Sequence, residues 1–153
     1  MSDCNKKISL EEKELDILRD AISVAEKRKG KQIVSDPNVK KIISILEDFL
    51  KKKKLVCYGG TAINNILPVE DQFYDKNIEI PDYDFYSPSA LNDAKELADI
   101  YYNAGFQEVE AKAGVHHGTY KVYVNFIPVA DITHLEKALF KRVQSEAIRV
   151  YGI

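Results

Sequence analysis

Pro81-Asp82-Tyr83-Asp84-Phe85-Tyr86 alternates carboxylates with aromatic rings. In an extended strand, residues i and i+2 point to the same face, so Asp82 and Asp84 are expected side by side. The flanking Tyr83, Phe85 and Tyr86 are expected to make the other face apolar, which leaves the acid face for chemistry. Pro81 suits a strand start, where a missing N–H does no harm. Two carboxylates held together repel, and one tends to keep its proton unless a cation relieves the pair. The bland alternative is a pair of exposed acids on an edge strand.

Two features on either side sharpen the reading. Upstream, Leu55-Val56-Cys57-Tyr58 reads as a short buried strand that Gly59-Gly60 turns into a helix from Thr61 to Leu67, ended by Pro68. Glycine tolerates the positive φ of such a turn. Backbone N–H groups at the new helix start could also grip phosphate, with the Thr61 hydroxyl beside them. No Gly-Lys-Ser/Thr follows, so this is not a Walker A loop. Downstream, Asp131 stands in Ile127-Pro128-Val129-Ala130-Asp131-Ile132-Thr133, and an acid between Ala130 and Ile132 is costly to bury unless paired or metal-bound. Three carboxylates form an oxygen-ligand set suited to Mg²⁺. With a glycine turn for phosphate, they point to two-metal phosphoryl or nucleotidyl transfer.

The chain of 153 residues is long enough for one domain with a real core, and its 45% hydrophobic and 30% charged residues are ordinary for a globular protein. No apolar run reaches the roughly 20 residues that cross a bilayer, and Met1 to Lys7 lacks the apolar stretch of a signal peptide. Cys4 and Cys57 lie far apart, which fits a reducing compartment better than a disulfide framework. Net charge is −2, but residues 1–54 carry +4, residues 55–133 carry −8 and residues 134–153 carry +2. The motif-bearing middle should therefore repel nucleotides and RNA unless divalent cations reverse its local sign.

The rest of the chain supplies a scaffold. Ser9 and Glu12 form a capping box for a helix carrying Leu15, Leu18, Ile22 and Ala25, expected to stop at Gly30. Asp36-Pro37 opens a second helix with Val39, Ile42, Ile43, Leu46, Phe49 and Leu50 on its apolar face, closed by Lys51 to Lys54. That lysine run reads as a solvated helix end, with an RNA or phosphate contact as the rival. Residues 69–80 read as an irregular acidic loop and Asp82 to Tyr86 as a strand. Ser87-Pro88-Ser89 starts a helix running to about Asn103 with Gly105 as its stop, then come strands at Phe106–Glu110, Thr119–Asn125 and Ile127–Ile132, and a last helix from His134. His116 and His117 are adjacent, would point to opposite sides of a strand, and suit a turn better than a metal. Asn64 could reach a nucleotide or satisfy polar groups. Lys121 is one of four basic residues in the acidic middle and a candidate triphosphate contact.

The order Gly-Gly-Thr, then Asp82 21 residues after Thr61, then Asp131 47 residues after Asp84, resembles the nucleotidyltransferase superfamily of DNA polymerase β. Tyr58-Gly59-Gly60-Thr61-Ala62-Ile63-Asn64, Pro81 to Ser87 and His116-His117-Gly118-Thr119-Tyr120 look more narrowly like the poly(A) polymerase catalytic subunit of large cytoplasmic DNA viruses. The resemblance implies an α/β (α+β) fold: a nucleotidyltransferase-type mixed β-sheet flanked by helices, with an N-terminal helical segment over 1–35 and a catalytic domain over 36–153. Family enzymes are longer, so the chain is expected to be truncated at its C-terminus, as the apolar ending Ala147 to Ile153 also suggests. The implied activity is AMP transfer from ATP to RNA 3′ ends. Asp82 and Asp84 would bridge two Mg²⁺ (or Mn²⁺), Asp131 would hold the metal that activates the 3′-OH, and Gly59, Gly60 and Thr61 would hold the β/γ-phosphates. The implied setting is the cytoplasm of an infected cell, in a viral factory or virion, with a processivity subunit or a homodimer as partner and no membrane. A nucleotidyltransferase acting on tRNA or protein, and a non-catalytic nucleotide- or RNA-binding fragment, are the alternatives.

Overall fold

Ser9 and Glu12 cap each other at the start of helix α1 (Leu10–Val34), with Glu12 N–H donating to Ser9 Oγ at 3.1 Å and Ser9 N–H donating to Glu12 Oε2 at 3.0 Å. The computed structural model describes residues 9–75, 77 and 79–151, so Cys4 and the terminal Gly152-Ile153 lie outside the described residues. Contrary to expectation, the helix runs through Gly30 to Val34. A glycine inside a helix costs only about 1 kcal/mol relative to alanine, and the stronger stop is Asp36-Pro37. No residue of α1 is buried, Leu15, Leu18 and Ile22 included.

Helix α2 (Pro37–Lys53) begins where Asp36 Oδ1 accepts from Asn38 N–H at 2.8 Å, and it ends at Lys54 in the left-handed region. It buries Val39, Ile42, Leu46, Phe49 and Leu50, and Ile43 is half-buried. The lysine run is not wholly solvated. Lys53 pairs with Asp93 at 2.7 Å and with Glu96, and its ammonium sits over the Phe49 ring.

Strands β1 (Val56–Tyr58), β2 (Tyr83–Ser87), β3 (Val109–Ala113), β4 (Thr119–Val124) and β5 (Ile127–His134) form one sheet in the order β1-β2-β5-β4-β3. The β2–β5 pair is parallel and the other pairs are antiparallel, so the sheet is mixed. Helix α3 (Gly59–Ile66) follows β1, helix α4 (Ala90–Asn103) follows β2, and helix α5 (Lys137–Tyr151) closes the described chain. Alternation decides which sheet face is dry. Phe85, Val122, Val124, Ala130 and Ile132 point one way and pack with Leu97 and Tyr101 of α4 and with Ile42 and Leu46 of α2.

Other sequence-derived boundaries shift, α3 starting at Gly59 rather than Thr61 among them. Strand β3 is Val109–Ala113 rather than Phe106–Glu110, because Phe106 belongs to the end of α4. Gly105 takes φ +101, Phe106 N–H donates to Tyr101 O at 3.2 Å, and the two rings meet edge to face at 5.9 Å. This is the glycine-ended helix stop with its apolar contact. Strand β2 starts at Tyr83, so Asp82 stands just before it. His134 ends β5, and α5 starts after Glu136, whose Oε2 accepts from Ala138 and Leu139 N–H at 3.0 and 3.2 Å. Those bonds lower the Glu136 pKa.

Tyr101 is fully buried, and its hydroxyl donates to Ile42 O at 2.8 Å, tying α4 to α2. Tyr101→Phe keeps the ring and removes this bond, so it is expected to destabilise by about 1 kcal/mol. Urea unfolding should show a lower midpoint at unchanged slope. An unchanged midpoint would mean that the bond contributes nothing.

Candidate active site

Strand register brings the acids together. Tyr58 pairs with Asp84 across β1–β2, Asp84 with Asp131 across β2–β5, and Lys121 with Asp131 across β4–β5. Directly opposed residues put their side chains on the same face, and adjacent strands lie about 4.8 Å apart. Tyr58, Asp84, Asp131 and Lys121 therefore make a row across the sheet, on the face opposite Phe85 and Ile132. Tyr86, two residues after Asp84, is on this acid side as well. Its ring stacks on Tyr58 with centroids 4.1 Å apart and planes 19° from parallel. The expected grouping of Tyr86 with Tyr83 and Phe85 is thus corrected by strand periodicity itself.

The glycine turn lies against the acids. Gly59 has φ +73, and a Cβ there would come within 2.6 Å of Asp84 Oδ2. A Cβ at Gly60 would come within 2.8 Å of the Tyr74 hydroxyl. Thr61 Oγ1 donates to Asp82 O at 2.7 Å, fastening α3 to the chain entering β2. Tyr58, the residue before α3, makes no side-chain cap, so no side chain there competes for the first N–H groups of α3. Beside the turn lies a cavity of about 190 Å³ whose walls include Gly60, Thr61, Asn64, Tyr74, Asp82 and Asp84. A larger open groove of about 530 Å³ between Arg28 and Pro37 shares no residue with the acids, and chemistry favours the smaller one.

Asn64 is buried, and its Oδ1 accepts from Phe73 and Tyr74 N–H at 2.8 and 2.9 Å. Its amide holds the loop that carries Tyr74 over the cavity. His116 and His117 are exposed in the β3–β4 turn, where His116 O accepts from Thr119 N–H at 3.1 Å.

Electrostatics separate the acids. Lys121 Nζ donates to Asp131 Oδ2 at 2.5 Å, and this bond raises the Lys121 pKa. Asp131 Oδ1 is buried with no hydrogen-bond partner. Burial raises the Asp82 pKa, as does the charge of Asp131, against the pull of Lys121. Burial also raises Asp84, followed by the charges of Asp82 and Asp131. With both carboxyls raised, the fold holds their protons more tightly than the unfolded chain does. Their contribution to stability is present at acid pH and is lost as pH rises through the raised values. A bound cation would offset that loss. Among the described residues no three His, Cys, Asp or Glu side chains form a ready-made ligand cluster. One Asp131 oxygen is held by Lys121 instead, and the orphaned Oδ1 is the atom a metal ion would satisfy. The donor set fits a hard divalent cation that must complete the cluster itself.

Residues the motif did not single out also flank the acids. The Tyr58 hydroxyl lies 2.8 Å from Thr133 Oγ1, which lies 3.0 Å from Thr119 Oγ1. The signal for these was register, which needs the pairing partner and not only the strand.

Comparison with known proteins agrees with this fold. The family model for the poly(A) polymerase catalytic subunit matches residues 44–153. A protein of Acanthamoeba polyphaga mimivirus, assigned as a poly(A) polymerase catalytic subunit, is 33% identical over 150 residues, covering 94% of this chain and 24% of its own length. One from African swine fever virus (strain Badajoz 1971 Vero-adapted), assigned in the same way, is 32% identical over 120 residues, covering 78% of this chain and 24% of its own. The crystal structure of the Megavirus polyadenylate synthase superposes with a TM-score of 0.75 at 30% identity, over 92% of this chain and 29% of that one. The chain thus spans about a quarter of the length of the curated relatives it matches.

Proposed function

The chain belongs to the poly(A) polymerase catalytic subunit family, and on that premise we propose that it carries the catalytic acids for AMP transfer from ATP to an RNA 3′ end. The observation that supports this most is the pairing of Asp84 with Asp131 beside Gly59, with one buried Asp131 oxygen left unpartnered. In the transfer, the RNA 3′-oxygen bonds to the α-phosphorus, the bond from that phosphorus to the β-phosphate bridging oxygen breaks, pyrophosphate leaves and the hydroxyl proton passes to solvent. Asp82, Asp84 and Asp131 would hold two Mg²⁺ or Mn²⁺, which when bound neutralise phosphate charge and lower the pKa of the attacking hydroxyl.

The remaining roles belong to the chain's own residues. Gly59 and Gly60 let the backbone approach the β/γ-phosphates, and the α3 N-terminus offers its N–H groups and positive dipole end. Thr61 holds the turn to Asp82 and so keeps phosphate and metal subsites in register. Asn64 positions the loop that closes the nucleotide cavity. Lys121, paired with Asp131, supplies a cation beside the acids for the triphosphate. Catalysis would rest on orientation and charge neutralisation. The chain would divide into an N-terminal segment over 1–35 and a catalytic unit over 36–153, a reading supported by the exposure of α1. A processivity subunit or a second copy would be the partner, and the cytoplasmic factory or virion the site of action.

Mn²⁺ titration tests the acid site directly. Calorimetry should show binding to the wild type that falls about tenfold or more in Asp82→Asn/Asp84→Asn, the usual scale for disturbing a metal site. Equal affinity in both proteins would remove the metal from the account.

A further inference from the structure

Lys121 carries more than a surface ion pair. Its ammonium is 2.5 Å from Asp131 Oδ2, and the two side chains are 30% and 17% exposed. A purely structural pair at that depth is expected to satisfy the rest of its carboxylate, because burial penalises each unmatched lone pair. Here Asp131 Oδ1 has no partner. Register sets Lys121 directly opposite Asp131, whose other neighbour in the row is Asp84. Among the described residues, the Lys121 ammonium is thus the cation paired with the acid row at rest. Two cations repel when they share one carboxylate. A metal engaging Asp131 must therefore work against the Lys121 ion pair.

We propose that Lys121 is the resting counter-ion of the acid site, holding Asp131 until a divalent cation displaces its ammonium, so that it weakens and thereby sets the site's metal affinity. This rests on the reading of Asp82, Asp84 and Asp131 as metal ligands. The freed ammonium stays on the acid face, where it can meet an incoming anionic phosphate. The neighbour in the row supplies a control. Lys112 pairs with Lys121 across β3–β4, but its ammonium sits over the Tyr123 ring at 4.5 Å and 3.5 Å from Glu110. It adds the same charge to the surface without holding Asp131.

Calorimetry with Mn²⁺ alone should show tighter binding to Lys121→Met than to wild type, by about five- to tenfold, the scale of a partly buried, charge-assisted ion pair. Lys121→Arg keeps the charge and should stay near wild type, as should Lys112→Met. In the wild type, Mg²⁺ should increase acylation of the Lys121 amine, read by mass spectrometry of the labelled peptide, and this readout needs no variant to fold. Unchanged or weaker Mn²⁺ binding in Lys121→Met overturns the proposal. So does equal tightening in Lys112→Met, which would be bulk charge, or Lys121 labelling indifferent to Mg²⁺. If Asp82→Asn/Asp84→Asn binds Mn²⁺ as the wild type does, the metal reading itself has failed and the counter-ion role falls with it.

Discussion

Asp84→Ala is expected to lower AMP incorporation by about three orders of magnitude, equivalent to roughly 4 kcal/mol of transition-state stabilisation. Asp84 is the acid that joins the glycine turn to the row of carboxylates. It lies between Tyr58 and Asp131 in the sheet, and its Oδ2 is the atom a Cβ on Gly59 would strike. On the proposed reading, removing it deletes a metal ligand without disturbing the apolar face, because Phe85 next to it points the other way into the core. The same substitution should leave metal-free thermal stability unchanged or slightly higher. Burial and the neighbouring acids raise the Asp84 pKa, so the ionised carboxylate is a cost to the fold at neutral pH. Primer extension with labelled ATP reads the first effect, and a thermal melt without metal reads the second. An Asp84→Ala protein that still extends at the wild-type rate would sink the catalytic assignment. A protein that melts far below wild type would make Asp84 a structural acid.

The parts of this fold that were legible in the sequence are those in which one local signal decides the conformation. The Ser9/Glu12 box, Asp36-Pro37, the Gly59-Gly60 turn and the Gly105 stop each constrain backbone within a few residues, and each marks an element end. The helix through Gly30 was misplaced because Asp36-Pro37 is the stronger local stop, and β3 because a weak local signal stood in for a tertiary one. Phe106 alternates acceptably as a strand residue, yet its burial against Tyr101 commits it to the helix end. The candidate site divides in the same way. Period-two alternation puts Asp82 and Asp84 on one face. It cannot say that Asp131 arrives on the adjacent parallel strand, that Lys121 arrives opposite Asp131, or that Tyr58 and Tyr86 stack beside them. Those facts depend on strand order. The sequence order β1, β2, β3, β4, β5 becomes β1-β2-β5-β4-β3 in space.

Gly59→Ala should separate the turn's role in catalysis from its role in folding. At φ +73 an alanine pays the left-handed penalty of about 1–2 kcal/mol. Its Cβ would also lie 2.6 Å from Asp84 Oδ2, well inside van der Waals contact. The cheapest relief is rotation of the Asp84 carboxylate, since the backbone on both sides is fixed by the β1–β2 pairing. Stability should therefore fall by no more than about 2 kcal/mol, while Mn²⁺ affinity falls and AMP transfer drops about a hundredfold, as expected for a displacement near 1 Å in a reacting site. Gly60→Ala makes the contrast. Its φ is ordinary, and its Cβ would meet the Tyr74 hydroxyl at 2.8 Å, the far end of a loop side chain that can yield. That variant should keep wild-type Mn²⁺ affinity and raise the KM for ATP, because it narrows the cavity without moving an acid. Urea unfolding, Mn²⁺ calorimetry and steady-state extension on the two variants tell the cases apart. If Gly59→Ala binds Mn²⁺ and turns over like wild type, the turn does not position Asp84, and the coupling of phosphate and metal subsites is lost from the mechanism.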